Sequence, residues 1–169
     1  MKRAIGWLLA VTSLTGTALA DEYRDDVFAP GYSELHINFA TSQYDSQIWQ
    51  RPGSSANLKY HDTLLILSAP SCVRLETGAP APYTSSTDTM FFLSYSNDTS
   101  NNDWRWLDDD SGTDYLSQAY LRYDSGSGQR RVRVRTTGYN SSINSQRVDI
   151  VITQVPLSEC PTTGNVAYL

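Results

Sequence analysis

The period of the apolar residues limits most what this chain can fold into. They recur at every second position in short runs, and each run stops at residues that favour turns. Leu35, Ile37 and Phe39 alternate with Glu34, His36 and Asn38. Val132, Val134 and Thr136 oppose Arg131, Arg133 and Arg135, and Val148, Ile150 and Ile152 alternate with Asp149, Val151 and Thr153. Leu64 to Leu67 is an unbroken apolar run, expected to be a strand buried on both faces. Between the runs stand Arg51-Pro52-Gly53, Asp108 to Gly112 and Ser125 to Gly128, which carry turn chemistry. Residues 21–32 read as an acidic lead-in. No helical period appears after residue 20. The expectation is an all-β chain of about eight strands in one antiparallel sandwich, with jelly-roll and immunoglobulin-like strand orders equally compatible.

Residues 1–20 have the three parts of a secretory signal peptide. Lys2 and Arg3 lead an apolar stretch from Ala4 to Leu14, and Ala18-Leu19-Ala20 supplies small residues for cleavage before Asp21. That stretch is too short, and too broken by Thr12, Ser13 and Thr15, to span a bilayer comfortably. The expectation is therefore a secreted or periplasmic protein, with one domain over residues 21–169 and no membrane span. Two cysteines, Cys72 and Cys160, then suit a single disulfide, since export places them in an oxidising compartment. The formal net charge of the full chain is -5. A protein this acidic lacks the overall field of a nucleic-acid binder, so no nucleic-acid partner is expected.

Three clusters carry candidate chemistry. Asp108, Asp109 and Asp110 are adjacent, with Asp114 downstream and Asp98 and Asp103 upstream. Neighbouring carboxylates repel unless solvated, protonated or gathered on a cation, and calcium takes oxygen ligands of this kind. Asp98, Asp103, Asp108, Asp110 and Asp114 are the candidate metal ligands, against a plain solvated turn. The second cluster is Arg131, Arg133 and Arg135, which at period two would line the outside of a sheet and suit anions. An ordinary solvated face paired with Asp124 or Asp149 is the alternative. The third is aromatic: Trp104, Trp106 and Tyr120 could stack on sugar rings or protein partners, or simply fill a core. Catalysis has little support. His61 and Asp62 are neighbours on an expected strand and would face opposite ways, and no serine elbow, HExxH or phosphate loop occurs. No enzyme activity is expected.

From Met90 to Thr153 the order of features resembles the bacterial pre-peptidase C-terminal domain. The acidic turn Leu107 to Gly112 precedes the strand Ser117-Gln118-Ala119-Tyr120-Leu121. The strand Val132 to Arg135, then Gly138-Tyr139, and a closing strand Val148 to Ile152 follow. The resemblance implies a small secreted β-sandwich of the kind appended to exported proteases and related to collagen-binding domains, some of which use calcium. It implies a non-catalytic module that binds or assists an exported protein. A carbohydrate-binding module with a glycan ligand, built on the tryptophans, is the alternative, and a structural surface-associated protein is another.

Overall fold

The alternating runs become strands of two packed sheets. The computed structural model describes residues 26–40, 48–78, 88–95, 103–141 and 147–169; the expected signal segment 1–20 and Asp98 lie outside them. Among the described residues the strands are β1 Asp26–Phe28, β2 Glu34–Ala40, β3 Ile48–Trp49, β4 Leu58–Ser68, β5 Ser71–Gly78 and β6 Thr89–Ser94. They continue as β7 Arg105–Asp109, β8 Gln118–Tyr123, β9 Gln129–Gly138, β10 Arg147–Val155 and β11 Val166–Tyr168. The first sheet runs β1-β4-β9-β6-β7, with β3 also pairing β4, and the second runs β11-β8-β5-β10-β2. The sandwich is the expected class, but its sheets are mixed rather than purely antiparallel. β1 lies parallel to β4 and β11 parallel to β8. A parallel partner is never reached by a short turn, so local pattern does not betray it.

The core lies between the sheets. Leu65, Leu67, Phe91, Leu93, Val132 and Val134 point in from the first; Val73, Leu75, Leu121, Val148, Ile150 and Ile152 answer from the second. Each such side chain contributes about 1.5–3 kcal/mol by leaving water. The run Leu64 to Leu67 departs from expectation. Leu65 and Leu67 are buried, whereas Leu64 and Ile66 are only half-buried, because they face the outside of the first sheet. The acidic lead-in also contains a strand: Val27 pairs Leu64, and Phe28 enters the core.

One tie lies within the second sheet, and another joins the two sheets. Cys72 of β5 is disulfide-bonded to Cys160, which follows a short 3-10 turn at Leu157–Glu159, with 6.0 Å between Cα atoms. At another junction Ser117 donates its backbone N–H to Thr77 Oγ1 at 2.8 Å and its hydroxyl to the Thr89 carbonyl at 2.6 Å. Thr77 belongs to the second sheet and Thr89 to the first, so the serine opening the β8 segment joins both layers. These hydroxyls are buried and mutually satisfied, as buried polar groups must be.

An irregularity in the β6–β7 pairing shapes the surface. Phe91 pairs Asp108, but Phe92 pairs Trp106, leaving Leu107 as the extra residue of a bulge. Leu107 enters the core and Asp108 is fully buried. Trp106 and Asp109 return to the outer face.

Candidate functional site

The register of the first sheet sets side chains in two rows across its outer face. In one, Asp62 of β4 pairs Arg135 of β9, Arg135 pairs Phe92 of β6, and Phe92 pairs Trp106 of β7. In the other, Tyr60, Thr137, Met90 and Asp109 follow the same strand order. The β3 strand and Arg51-Pro52 cover part of this face. Met90, Phe92 and Trp104 form a second, smaller apolar cluster here, with Trp49 packed against it. Trp49 meets Phe92 edge-on at 4.9 Å and Trp104 at 6.2 Å between ring centroids.

Arg135 holds the centre. Its Nε and Nη2 donate to Asp62 Oδ1 and Oδ2, each at 2.7 Å. The guanidinium carbon lies 3.6 Å from the Tyr60 ring centroid, 4.0 Å from Trp104 and 5.0 Å from Trp49. Arg135 is 2% exposed and Asp62 1%. A two-pronged pair with three aromatic faces around it supplies the hydrogen bonds and charge that a buried guanidinium requires.

Beside this cage opens a cleft of about 460 Å³, lined by Arg51, Pro52, Met90, Phe92, Trp104, Trp106 and Asp109. That volume falls within the roughly 300–1,000 Å³ typical of small-ligand sites. Trp104 is buried in the floor, while Trp106 is 59% exposed on the wall. Met90, Phe92 and the two indoles make the apolar part; Arg51 and Asp109 make the polar end. Arg51 donates Nη1 to the Met90 sulfur at 3.4 Å, and its guanidinium lies 4.6 Å from the Tyr139 ring centroid.

Asp109 does not stand alone. Oxygens of Asp88, Asp109 and Asp110 lie within 4.8 Å of one another. The Oδ1 atoms of Asp88 and Asp109 are buried without a hydrogen-bond partner. Burial, then the neighbouring Asp110, raises the Asp88 carboxyl to about 6, against a lowering by Arg51. Burial also raises Asp109 to about 6, followed by repulsion from Asp110, Asp88 and Asp108. Three oxygens so close could hold a hard divalent cation, with further oxygens from backbone or water.

The expected ligands are distributed differently. Only Asp110 of the expected metal set belongs to this trio. Asp108 is turned inward by the bulge and accepts the Gln118 backbone N–H at 2.7 Å. Asp114 is exposed on the turn, and Asp103 is exposed 3.9 Å from Arg105. Asp88 gave no signal in sequence, because the β6 register and not chain proximity brings it to Asp109. The arginine stripe is also divided: Arg131 is exposed, Arg133 is buried, and Arg135 is committed to Asp62. It is therefore not a solvated cationic face. Arg122, not a member of the stripe, pairs Asp124 at 2.7 Å. Trp104 and Trp106 do share one cleft, but Tyr120 lies on β8 of the other sheet, paired with Arg74. Arg51, Met90 and Phe92 were missed as site residues. A turn arginine and two strand hydrophobics carry no motif that marks them.

Among the described residues no helix is long and apolar enough to cross a membrane. Comparison with family models, curated proteins and solved structures finds no match to this chain.

Proposed function

We propose that the protein is an exported, non-catalytic binding module whose ligand is a glycan held in the cleft on the first sheet. The observation that carries this reading is the exposed Trp106 beside buried Trp104 and Phe92, with Asp109 and Arg51 at one end. Flat aromatic faces hold the C–H face of a sugar ring, and a few charged groups fix its hydroxyls. The disulfide fits an oxidising compartment. Calorimetric titration of the purified protein with a panel of soluble oligosaccharides tests the reading. At least one member should bind, and Trp106→Ala should abolish that binding while the protein stays folded. A panel without any binder, or equal binding by Trp106→Ala, rejects it. Release of new reducing ends from a bound oligosaccharide would reject the non-catalytic part.

An exported protein partner, as the resemblance to pre-peptidase C-terminal domains implies, is the competing reading, and the same exposed indole would suit its hot spot. Capture from the host's exported fraction, lost with Trp106→Ala and unaffected by free oligosaccharide, would favour it. Calcium is the alternative occupant of the trio Asp88, Asp109 and Asp110. Melting in excess calcium and in chelator reads it directly: a bound ion raises the transition, whereas superimposable curves remove calcium.

A further inference from the structure

Glycans differ in charge, and the polar end of the cleft discriminates among them. Asp109 lines that end beside Arg51, and carboxylate oxygens of Asp88 and Asp110 lie within 4.8 Å of its own. Arg51 already directs itself to the Tyr139 ring and the Met90 sulfur. The Asp109 carboxylate at the cleft wall gains most from a charged donor brought by a ligand, because charge-assisted hydrogen bonds are roughly twice as strong as neutral ones. An ammonium supplies three donors and a positive charge. The adjoining aromatic faces of Trp104, Trp106 and Phe92 attract the same charge and also receive an apolar ring face. An anionic sugar would meet repulsion, and a neutral one would leave the carboxylates without a counter-charge.

Resting on the glycan reading above, we propose that the cleft selects a sugar bearing a free amine, a 2-amino-2-deoxyhexose unit bound as its ammonium. An amino sugar is one small ring with an apolar face and a cationic substituent, which is the combination the cleft presents in complement. A lysine side chain offers the charge but no ring to stack on the exposed indole.

The test is a titration of the full mature protein at about pH 7, where free carboxylates are ionised, in chelator so that no metal competes. The probes are chitosan tetrasaccharide with free amines, its fully N-acetylated counterpart, cellotetraose, tetragalacturonate and a lysine-rich peptide. The free-amine sugar should bind at least about tenfold more tightly than the acetylated, neutral and anionic ones, as loss of one charge-assisted contact implies. Asp109→Asn and, separately, Asp88→Asn should narrow that preference. Equal binding of the free-amine and acetylated sugars would overturn the charge selection while leaving the glycan reading intact. Binding by none of the oligosaccharides would overturn both. Tighter binding of the peptide than of any sugar would overturn the amino-sugar assignment and move the cleft to a protein ligand.

Discussion

Arg135 and Asp62 make a bond whose value depends on both partners being present. With each nearly sealed from water, the pair offsets two desolvation costs with two short hydrogen bonds. Asp62→Asn leaves a buried guanidinium without its charge partner and should cost about 3–5 kcal/mol, measured by denaturant titration. Replacing both, as Asp62→Leu with Arg135→Met, should recover much of that loss, since two apolar groups need no compensation. A double variant as unstable as Asp62→Asn would show that the aromatic cage depends on the guanidinium itself. Asp88 and Asp109 give the opposite electrostatic case. Their folded values of about 6 lie above the ordinary carboxyl value of 3.8, so the folded protein binds more protons between those limits. In chelator, stability should therefore be greatest below about 4 from this source and fall as pH rises through 6. Asp88→Asn should flatten that slope in melts across the window, and an unchanged slope would assign it to other groups.

At the scale of elements, the turn between β7 and β8 shows why the acidic residues stand where they do. Asp110 and Asp114 have φ of 61° and 57°, the left-handed region that Asp tolerates better than most residues. Gly112 donates its N–H to the Leu116 carbonyl at 2.7 Å, and a Cβ on it would lie 2.7 Å from that oxygen. Gly112→Ala should thus force the turn apart and destabilise the protein by about 1–3 kcal/mol, read from its thermal or chemical unfolding. Because Asp109 and Asp110 sit at the start of this turn, the variant should also weaken any ligand of the carboxylate trio. Full stability in Gly112→Ala would mean that the turn has room to rearrange. The bulge at Phe91 and Phe92 is the other decisive element, for it exchanges which carboxylate faces outward.

Across the whole molecule, the chain repeatedly changes sheet, and long-range ties hold distant segments together. The Cys72–Cys160 bond spans 88 residues of sequence and fastens the C-terminal segment to β5. A closed loop of that length is worth about 4–5 kcal/mol in the chain-entropy model. Reduction should lower the melting temperature by about 8–20 °C, and Cys72→Ala with Cys160→Ala should reproduce the effect without reductant. Equal melting of the oxidised, reduced and doubly substituted proteins would leave the bond without a stabilising role.

The sequence by itself determined the strand character, the turns and most core positions, because a residue's face on a strand follows from a period of two. Val132 and Val134, or Ile150 and Ile152, needed no tertiary knowledge to be placed inside. It also made the disulfide legible, since two cysteines admit one pairing. The short β1 and β11 were invisible because their parallel partners are distant in sequence. Only the tertiary structure decided which charges are buried. Arg135 looked like one of three equal surface cations until the β4 register placed Asp62 opposite it. Asp108 and Asp109 are adjacent and chemically identical, yet one residue of bulge sends the first inward and the second into the cleft. The trio with Asp88 exists because strand pairing closes a gap that no local pattern encodes.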